Sequence, residues 1–302
     1  MRYPKYKLAL LAFYCSLVTL AQPKVSFTFD DGATHDQPGY SFKIWNDMIL
    51  NSLDKHTVKS TFFVTGHNKT DEKGIYLLKS WNKRGHRIAN HTFSHVNYNS
   101  NEIDFISFTQ EFIKTDSIIR QYSNYTKIFR FPFLSEGNTK EKIQSFRSFL
   151  KKSNYTNGHV TIDTFDWYID SRLKKRLQEN SNADITGFKK FYINSILERA
   201  RLYEDLSYQL YGRHIHHTLL LHHNLTSALF LDDLINAFKD QGWDIVSSDI
   251  AYADPIFNKF PTHPGGNFIW ALAKDTGNFK AIIKKIEKGS LPQKEEMDKM
   301  GL

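Results

Sequence analysis

Two adjacent carboxylates and two histidines spaced four residues apart are the side chains in this sequence best suited to catalysis or metal binding. Asp30 and Asp31 precede Gly32, and the histidines are His91 and His95. Adjacent carboxylates repel, so burying both favours a metal ion on one and a proton-accepting role for the other. Histidines four apart on a helical turn share a face and can reach one ion. With Asp31 they predict a two-histidine, one-carboxylate site suited to Zn²⁺ and open to other divalent metals, although each segment alone is also typical of a turn or of surface polarity.

An arginine and a third histidine add to these groups. Arg130 ends another apolar run, and a bidentate contact from it can hold Asp30 ionised and oriented. Leu220 and His222 share one face of a strand, whereas His223 points to the other face. If the first face lines the interior of the fold, an aliphatic side chain and an imidazole meet in one pocket.

The elements that must position these residues alternate between two periodicities. Short apolar, β-rich runs predict strands over residues 24–29, 60–64, 86–89, 127–131, 159–163, 218–221 and 243–247. Amphipathic spacing predicts helices over residues 39–53, 103–122, 188–210 and 229–240. Seven strands separated by helices imply a parallel α/β sheet, and barrel-like closure suits this number better than an open sheet. Chemistry is then expected at the carboxyl ends of the strands.

These residues, in this order, resemble the polysaccharide deacetylases of carbohydrate esterase family 4, the NodB-homology domain. The resemblance covers about residues 24–247 and rests on five motifs: Thr28-Phe29-Asp30-Asp31-Gly32, His91-Thr92-Phe93-Ser94-His95, Arg130-Phe131-Pro132-Phe133, residues 163–167, and Leu220-Leu221-His222. It implies a distorted (β/α)7 barrel related to the TIM barrel. It also implies removal of N- or O-acetyl groups from an acetylated polysaccharide.

The resemblance implies a role for each matching residue. Asp31, His91 and His95 are implied as the ligands of a divalent metal ion. Zinc is the expected metal, with cobalt or manganese as alternatives. Asp30 is implied as the general base, aimed by Arg130, and His222 as the general acid. Asp166 is the first choice for the carboxylate that favours the His222 imidazolium, and Asp163 the second. The substrate is expected to contact Phe133, Trp167, Leu220 and Asp163.

Phe133 departs from the family pattern, which usually has tyrosine there. The implied role of this position is an oxyanion-hole donor from its backbone N–H, and that donor does not depend on the side chain. Leu220 and Trp167 are implied as the walls of a small pocket for the acetyl methyl group. His214, His216 and His217 do not predict a second metal site, because alternation along a strand separates His216 from His217.

Composition and the terminal sequence restrict the possible cross-links, metal sites and domain organisation. The chain has 302 residues, a formal net charge of +8 and one cysteine, so an internal disulfide and a tetrathiolate metal site are both excluded. Basic residues followed by an apolar run predict a signal peptide over residues 1–21, which includes Cys15. The expected organisation continues with a deacetylase domain over 22–250 and an extension over 251–302 that packs on the barrel.

Other functions remain open at this stage. The scaffold can also support a metal-dependent amidohydrolase of small molecules or a catalytically inactive sugar-binding homologue. The basic charge is spread along the chain and no nucleic-acid motif accompanies it, so a nucleic-acid partner is not expected. Glycans on the Asn90 and Asn224 sequons would obstruct the site, which favours an exported bacterial protein in the periplasm or outside the cell, without a stable membrane span after cleavage. The polymer and the oligomeric state are left open.

Overall fold

The computed structural model describes residues 22–289 and 291–302, and the predicted signal peptide lies outside them. The strands are β1 (Lys24–Asp31), β2 (Thr61–Val64), β3 (Arg87–Asn90), β4 (Tyr125–Phe129), β5 (Thr156–Asn157), β6 (His216–His222) and β7 (Asp244–Ile245). The helices are α1 (Phe42–Lys55), α2 (Glu72–Lys83), α3 (Phe105–Ile119), α4 (Lys140–Lys152), α5 (Asp166–Glu179), α6 (Thr186–Tyr211), α7 (Leu225–Asp240), α8 (Ser248–Tyr252), α9 (Phe268–Asp275), α10 (Lys280–Glu287) and α11 (Leu291–Lys299).

All strand pairs in this part of the chain are parallel. The order across the sheet is β5-β4-β3-β2-β1-β6, and β7 pairs with the first two residues of β1. Beyond β5 the chain crosses towards β6, where Ile162 forms a parallel bridge with Leu219. The sheet therefore curls almost completely round, and the predicted α/β barrel-like fold is confirmed.

The fifth predicted strand, residues 159–163, is wrong. The strand that pairs with β4 is shorter and earlier, Thr156–Asn157, and after Gly158 the chain crosses from β4 to the bridge with β6 at Ile162. A Cβ atom at Gly158 would lie 2.7 Å from the Phe63 ring, so only glycine permits this close approach. Beyond Gly158, Thr161 and Thr218 bond through their side chains as well as their backbones, and a single bridge stands in place of a regular ladder.

β1 pairs with β2, β6 and β7 and is buried on both faces. Phe27 packs edge-on against Phe238 of α7, and Phe29 packs against Trp81 of α2. Thr28 and Asp30 alternate with these aromatic residues, so their side chains point into the barrel. The pleat of β1 thus delivers a carboxylate to the interior at the carboxyl end of the sheet.

The C-terminal region contacts the barrel. The backbone N–H of Phe268 donates to the carbonyl of Val160 at 2.8 Å, and the Phe268 ring stacks on His159 with a 4.1 Å centroid separation. Within residues 22–289 and 291–302, no helix combines the length and the apolar character that crossing a bilayer requires.

Candidate active site

Asp30 and Arg130 form a buried ion pair at the base of the site. Arg130 Nη1 donates to Asp30 Oδ1 at 2.6 Å, and both side chains are at most 4% exposed. The guanidinium also donates to Thr28 Oγ1, to the carbonyl of Gly158 and to the hydroxyl of Tyr252. These four acceptors fix the plane of Arg130, so the Asp30 carboxylate is held in one orientation.

Asp31, His91 and His95 converge beside this pair. Their ligand atoms all lie within 4.8 Å of one another, and His95 Nε2 is 3.3 Å from Asp31 Oδ1. Asp31 Oδ1 is buried and has no hydrogen-bond partner among the described residues. His91 Nδ1 donates to the carbonyl of Arg130 at 2.8 Å, which leaves the Nε2 lone pair facing the carboxylate. An orphaned carboxylate oxygen and two imidazoles at this spacing fit a divalent cation.

The backbone around this cluster adopts left-handed conformations. Positive φ angles occur at Asp31 (81°), Thr92 (64°), His95 (58°) and Phe133 (57°). Such angles are costly for residues with a Cβ and persist where the surroundings enforce them. At Asp31, the carbonyl accepts hydrogen bonds from both the N–H and the hydroxyl of Thr65. This turn brings Asp31 towards the histidines, where simple strand alternation would direct it away from Asp30.

His222, which pairs with Asp30 in the register of β1 and β6, forms a second ion pair with the buried Asp166. The His222 ring contacts Asp166 through Nδ1 and Oδ1 at 2.6 Å, and the backbone N–H of His222 donates to Asp166 Oδ2 at 2.8 Å. Thr164 Oγ1 and Asn224 Nδ2 donate to the same carboxylate at 3.2 and 3.3 Å. Asp166 is therefore the carboxylate that lies against His222.

Asp163, the second choice for that contact, has other partners. Arg199 of α6 donates to Asp163 Oδ2 at 2.7 Å and to its backbone carbonyl, and Asn267 donates to Asp163 Oδ1 at 2.9 Å. The side chain retains 20% exposure and reaches the lining of the cavity.

One cavity of about 560 Å³ brings the two pairs and the histidine cluster together. Its lining is Asp30, Asp31, His91, His95, Phe133, Leu134, Asp163, Thr164, Phe165, Trp167, Leu220 and His222. Phe133 and Trp167 are 61% and 47% exposed, so they stand at an open mouth. Leu134 N–H and Ser135 N–H make the hydrogen bonds of the short 3₁₀ turn Pro132–Leu134, and the N–H of Phe133 precedes them.

The ionisation of the two pairs differs. Burial raises the pKa of Asp30 to about 6, although Arg130 beside it lowers that pKa. Burial also raises the pKa of Asp31, but His222, His91 and His95 outweigh it and leave the pKa below its ordinary value. Burial lowers the pKa of His91 to about 3, so this imidazole is neutral and able to bind a metal. Burial lowers the pKa of His222, but Asp166 reverses that effect and raises it to about 10.

Three of the hydrogen bonds that Arg130 makes were not predicted from the sequence. Thr28, Gly158 and Tyr252 all accept hydrogen bonds from Arg130, and Tyr252 comes from α8, beyond the expected domain boundary at residue 250. Only the position of Thr28 inside the first motif could have suggested it.

The remaining histidines lie away from the cavity. His223 Nε2 contacts Asn46 Oδ1 at 3.1 Å, and its ring packs 4.3 Å from that of Trp45. Glu204 of α6 pairs with His217 and with His214. The described residues therefore place His223 in the core, as strand alternation predicts, and give His214 and His217 a shared carboxylate.

Comparison with known proteins identifies relatives of this chain. The family model described as polysaccharide deacetylase matches residues 18–149. A peptidoglycan-N-acetylglucosamine deacetylase of Bacillus cereus is 32% identical over 145 residues, which cover 48% of this chain and 46% of that protein. The peptidoglycan-N-acetylmuramic acid deacetylase PdaA of Bacillus subtilis is 37% identical over 170 residues, 55% of this chain and 56% of that protein. The chain thus spans about half the length of these curated relatives.

Solved structures share the fold. The structure of T48 deacetylase, solved with substrate, superimposes on this chain with a TM-score of 0.52 at 22% identity, over 77% of this chain and 92% of that one. Wild-type BA3943 of Bacillus anthracis, described as a CE4 family pseudoenzyme, has a TM-score of 0.52 at 19% identity, over 76% of this chain and 65% of that one. The family match over residues 18–149, the curated relatives and the shared fold agree that this chain is similar to polysaccharide deacetylases.

Proposed function

We propose that this protein is a metal-dependent hydrolase that removes acetyl groups from an acetylated polysaccharide. The observation that carries the proposal is the convergence of three groups on one cavity: the Asp31, His91 and His95 cluster, the Asp30–Arg130 pair and the His222–Asp166 pair. Hydrolysis of an acyl bond is aided by an acceptor for the proton of the attacking water and a donor to the leaving group, and the two pairs can supply one each.

Asp31, His91 and His95 are the proposed metal ligands, with zinc as the first candidate and cobalt or manganese as alternatives. A divalent ion bound there supplies Lewis-acid polarisation of the acetyl carbonyl and lowers the pKa of water. The neutral His91 ring, held by its hydrogen bond to the Arg130 carbonyl, is already in the protonation state that a ligand requires.

Asp30 is the proposed general base. Its raised pKa, about 6, suits a group that must accept a proton from water near neutral pH. Arg130 is the proposed positioning residue for Asp30, because its hydrogen bond to Oδ1 leaves Oδ2 on the side that faces His91 Nε2, 3.7 Å away.

The proposed oxyanion donor is the backbone N–H of Phe133, at the start of the 3₁₀ turn. His222 is the proposed general acid, since Asp166 keeps its imidazole protonated and able to deliver a proton to the leaving nitrogen or oxygen. Leu220 and Trp167 are the proposed walls of the acetyl methyl pocket, and Asp163 lies beside the substrate.

The substrate is proposed to be a glycan, with peptidoglycan as the leading class. Both curated relatives described above are named for peptidoglycan deacetylation. The exposed rings of Phe133 and Trp167 at the mouth offer stacking surfaces to a polymer, whereas a small-molecule amidohydrolase is expected to close over its substrate. Export to the periplasm or outside the cell, by the basic and apolar segment over residues 1–21, is part of the same proposal.

The test is acetate release from a panel of acetylated peptidoglycan, chitin oligomers and acetylated xylan. Exhaustive chelation should abolish release, and Zn²⁺, Co²⁺ or Mn²⁺ should restore it. Asp31→Asn should lose both bound metal and activity, while Asp205→Asn, the same change at an exposed position of α6, should keep both. Full activity after metal removal contradicts the metal assignment. No acetate from any polymer with zinc present identifies an inactive homologue instead.

A further inference from the structure

A segment of the C-terminal region, residues 261–267, lies against the outside of the catalytic cavity and contacts two residues of its lining, Leu134 and Asp163. We call it the strap. It touches two loops that line the cavity: the turn that carries Phe133 and Leu134, and the loop that begins at Asp163. Neither contact is needed to close the barrel, since both lie beyond the strands.

The first contact is a close approach of two backbones. The N–H of Gly266 donates to the carbonyl of Leu134 at 2.8 Å. Gly265 has a φ of +79°, and a Cβ atom there would lie only 2.7 Å from the same carbonyl oxygen. A side chain at Gly265 would therefore push the Leu134 carbonyl away. Because Leu134 follows Phe133 directly, this contact bears on the orientation of the Phe133 N–H.

The second contact is a side-chain hydrogen bond from Asn267. This residue is 5% exposed, and its Nδ2 donates to Asp163 Oδ1 at 2.9 Å. Its Oδ1 accepts from the backbone N–H groups of Ile269 and Trp270, which caps α9. Asn267 thus ties the start of a rigid helix to Asp163.

The loop held by Asp163 continues into the acid side of the site. Thr164 follows and contacts Asp166 Oδ1, and the carboxylate of Asp166 in turn receives two hydrogen bonds from His222. Arg199 fixes the other oxygen of Asp163 from α6 at 2.7 Å. The orientation of Asp166 therefore depends on a loop whose first residue is clamped between Arg199 and Asn267.

We propose that the strap is part of the active site and that Asn267 is a positioning residue for the deacetylation reaction. Through Asp163 it holds the loop that carries Asp166, and through Gly265 and Gly266 the strap holds the turn that carries the Phe133 N–H. The proposal rests on the proposed function for its kinetic effect. The contacts themselves can be tested without it.

Asn267→Asp separates the two roles of this residue. Aspartate caps a helix as well as asparagine does, so α9 remains capped. It has no donor for Asp163 and places a second carboxylate against it, which should push the loop away. Because displacements of about 1 Å can cost about 100-fold in rate, we expect kcat to fall about 10- to 100-fold, with a much smaller change in KM and with metal content unchanged. Asn278→Asp makes the same change at an exposed position of the extension and should behave like the wild type.

A double variant tests whether the contact itself is responsible. In Asp163→Asn/Asn267→Asp the donor and the acceptor are exchanged, and the amide oxygen of residue 163 can still accept from Arg199. We expect at least part of the lost kcat to return. A merely structural role for Asn267 predicts that the second substitution adds to the damage.

The turn that carries Phe133 offers an independent pair of variants. Gly265→Ala and Gly277→Ala both place alanine at a positive φ, +79° and +71°. Only the first meets another atom, since nothing lies within 4 Å of the Cβ position at Gly277. Gly265→Ala should therefore lower kcat while Gly277→Ala leaves it unchanged.

Amide hydrogen exchange over residues 160–170 provides the readout that needs no activity. Asn267→Asp should speed exchange there, Asn278→Asp should not, and the double variant should slow it again. Unchanged kcat and unchanged exchange in Asn267→Asp overturn the proposal. If the wild type releases no acetate, the proposed function fails, and the exchange data alone then decide whether the strap holds the loop.

Discussion

Asp30 and Asp166 are two buried carboxylates beside cationic groups, yet their pKa values shift in opposite directions. Asp30 lies against Arg130 and Asp166 against His222. Burial raises the pKa of Asp30 to about 6, and the pKa of Asp166 is lowered despite its burial, chiefly by His222. A cationic neighbour therefore does not by itself decide the charge of a buried carboxylate.

The difference lies in how many donors each carboxylate receives. Asp166 accepts from the His222 ring, the His222 backbone N–H, Thr164 and Asn224. Asp30 accepts one hydrogen bond, from Arg130, whose other donors go elsewhere, and the neighbouring Asp31 disfavours its charge. Donors to the charged form stabilise it, whereas burial favours the neutral form. The Asp30 environment thus permits protonation, and that of Asp166 opposes it.

Asp30→Asn is the change with the largest expected effect. It removes the proposed proton acceptor but keeps the shape of the side chain and a carbonyl oxygen for Arg130. General-base catalysis contributes about 100- to 10,000-fold, so kcat should fall by about 1,000-fold or more, with metal content near that of the wild type. Steady-state acetate release and metal analysis give the two readings. Loss of the metal in this variant would mean that the roles of Asp30 and Asp31 are reversed.

Asp166→Asn should have the next largest effect, about 100-fold on kcat, because the His222 ring loses the negative charge that favours its protonation. A general acid must be protonated, so activity is lost as pH rises through the pKa of His222, which Asp166 raises to about 10. Without that charge the pKa of His222 falls, and the alkaline limb of the kcat profile should move to lower pH. An alkaline limb at the wild-type position would reject the role of Asp166.

Two threonines allow a matched comparison with the smallest effects. Thr28→Val removes an acceptor from Arg130 and leaves a buried N–H of a charged group without its partner, 2.9 Å away in the wild type. Thr164→Val removes one of four donors to Asp166, and that hydroxyl is shared with the Leu220 carbonyl. We expect about a tenfold loss of kcat for Thr28→Val and less than about threefold for Thr164→Val.

The comparison of the two threonine variants is made at saturating substrate, with thermal unfolding to exclude a loss of folded protein. Equal losses of kcat in both variants would contradict the account based on donors. They would indicate that each hydroxyl contributes only packing.

Much of the fold could be predicted because its strands are short apolar runs with helical periodicity between them. Helices α1, α3, α6 and α7 begin and end within four residues of the prediction. Helices α2 and α4 are largely polar, with narrow buried stripes, and their periodicity did not stand out. β5 was misplaced because Gly158, which follows it, packs closely against the ring of Phe63, a contact between residues distant in sequence.

In the candidate site, too, some features follow from local sequence patterns and others depend on contacts between residues distant in sequence. Asp30, Asp31, His91, His95, Arg130 and His222 meet as expected, because each follows or ends a strand of one parallel sheet. Asp166 was the first choice and Asp163 the second for the partner of His222, and the structure places Asp166 there. The packing of α6 and of the strap distinguishes the two aspartates, because Arg199 and Asn267 donate hydrogen bonds to Asp163. Tyr252 was missed for the same reason: its partner Arg130 lies far away in sequence.

Arg130 makes hydrogen bonds through both its side chain and its backbone carbonyl. Its side chain holds Asp30, and its backbone carbonyl receives the Nδ1 hydrogen of His91. A displacement of the end of β4 is therefore expected to move Asp30, the proposed proton acceptor, and His91, a proposed metal ligand, in the same direction. The distance between them is preserved while the site as a whole fluctuates, so the relative placement that proton transfer requires can survive motion that would disturb two independently anchored groups.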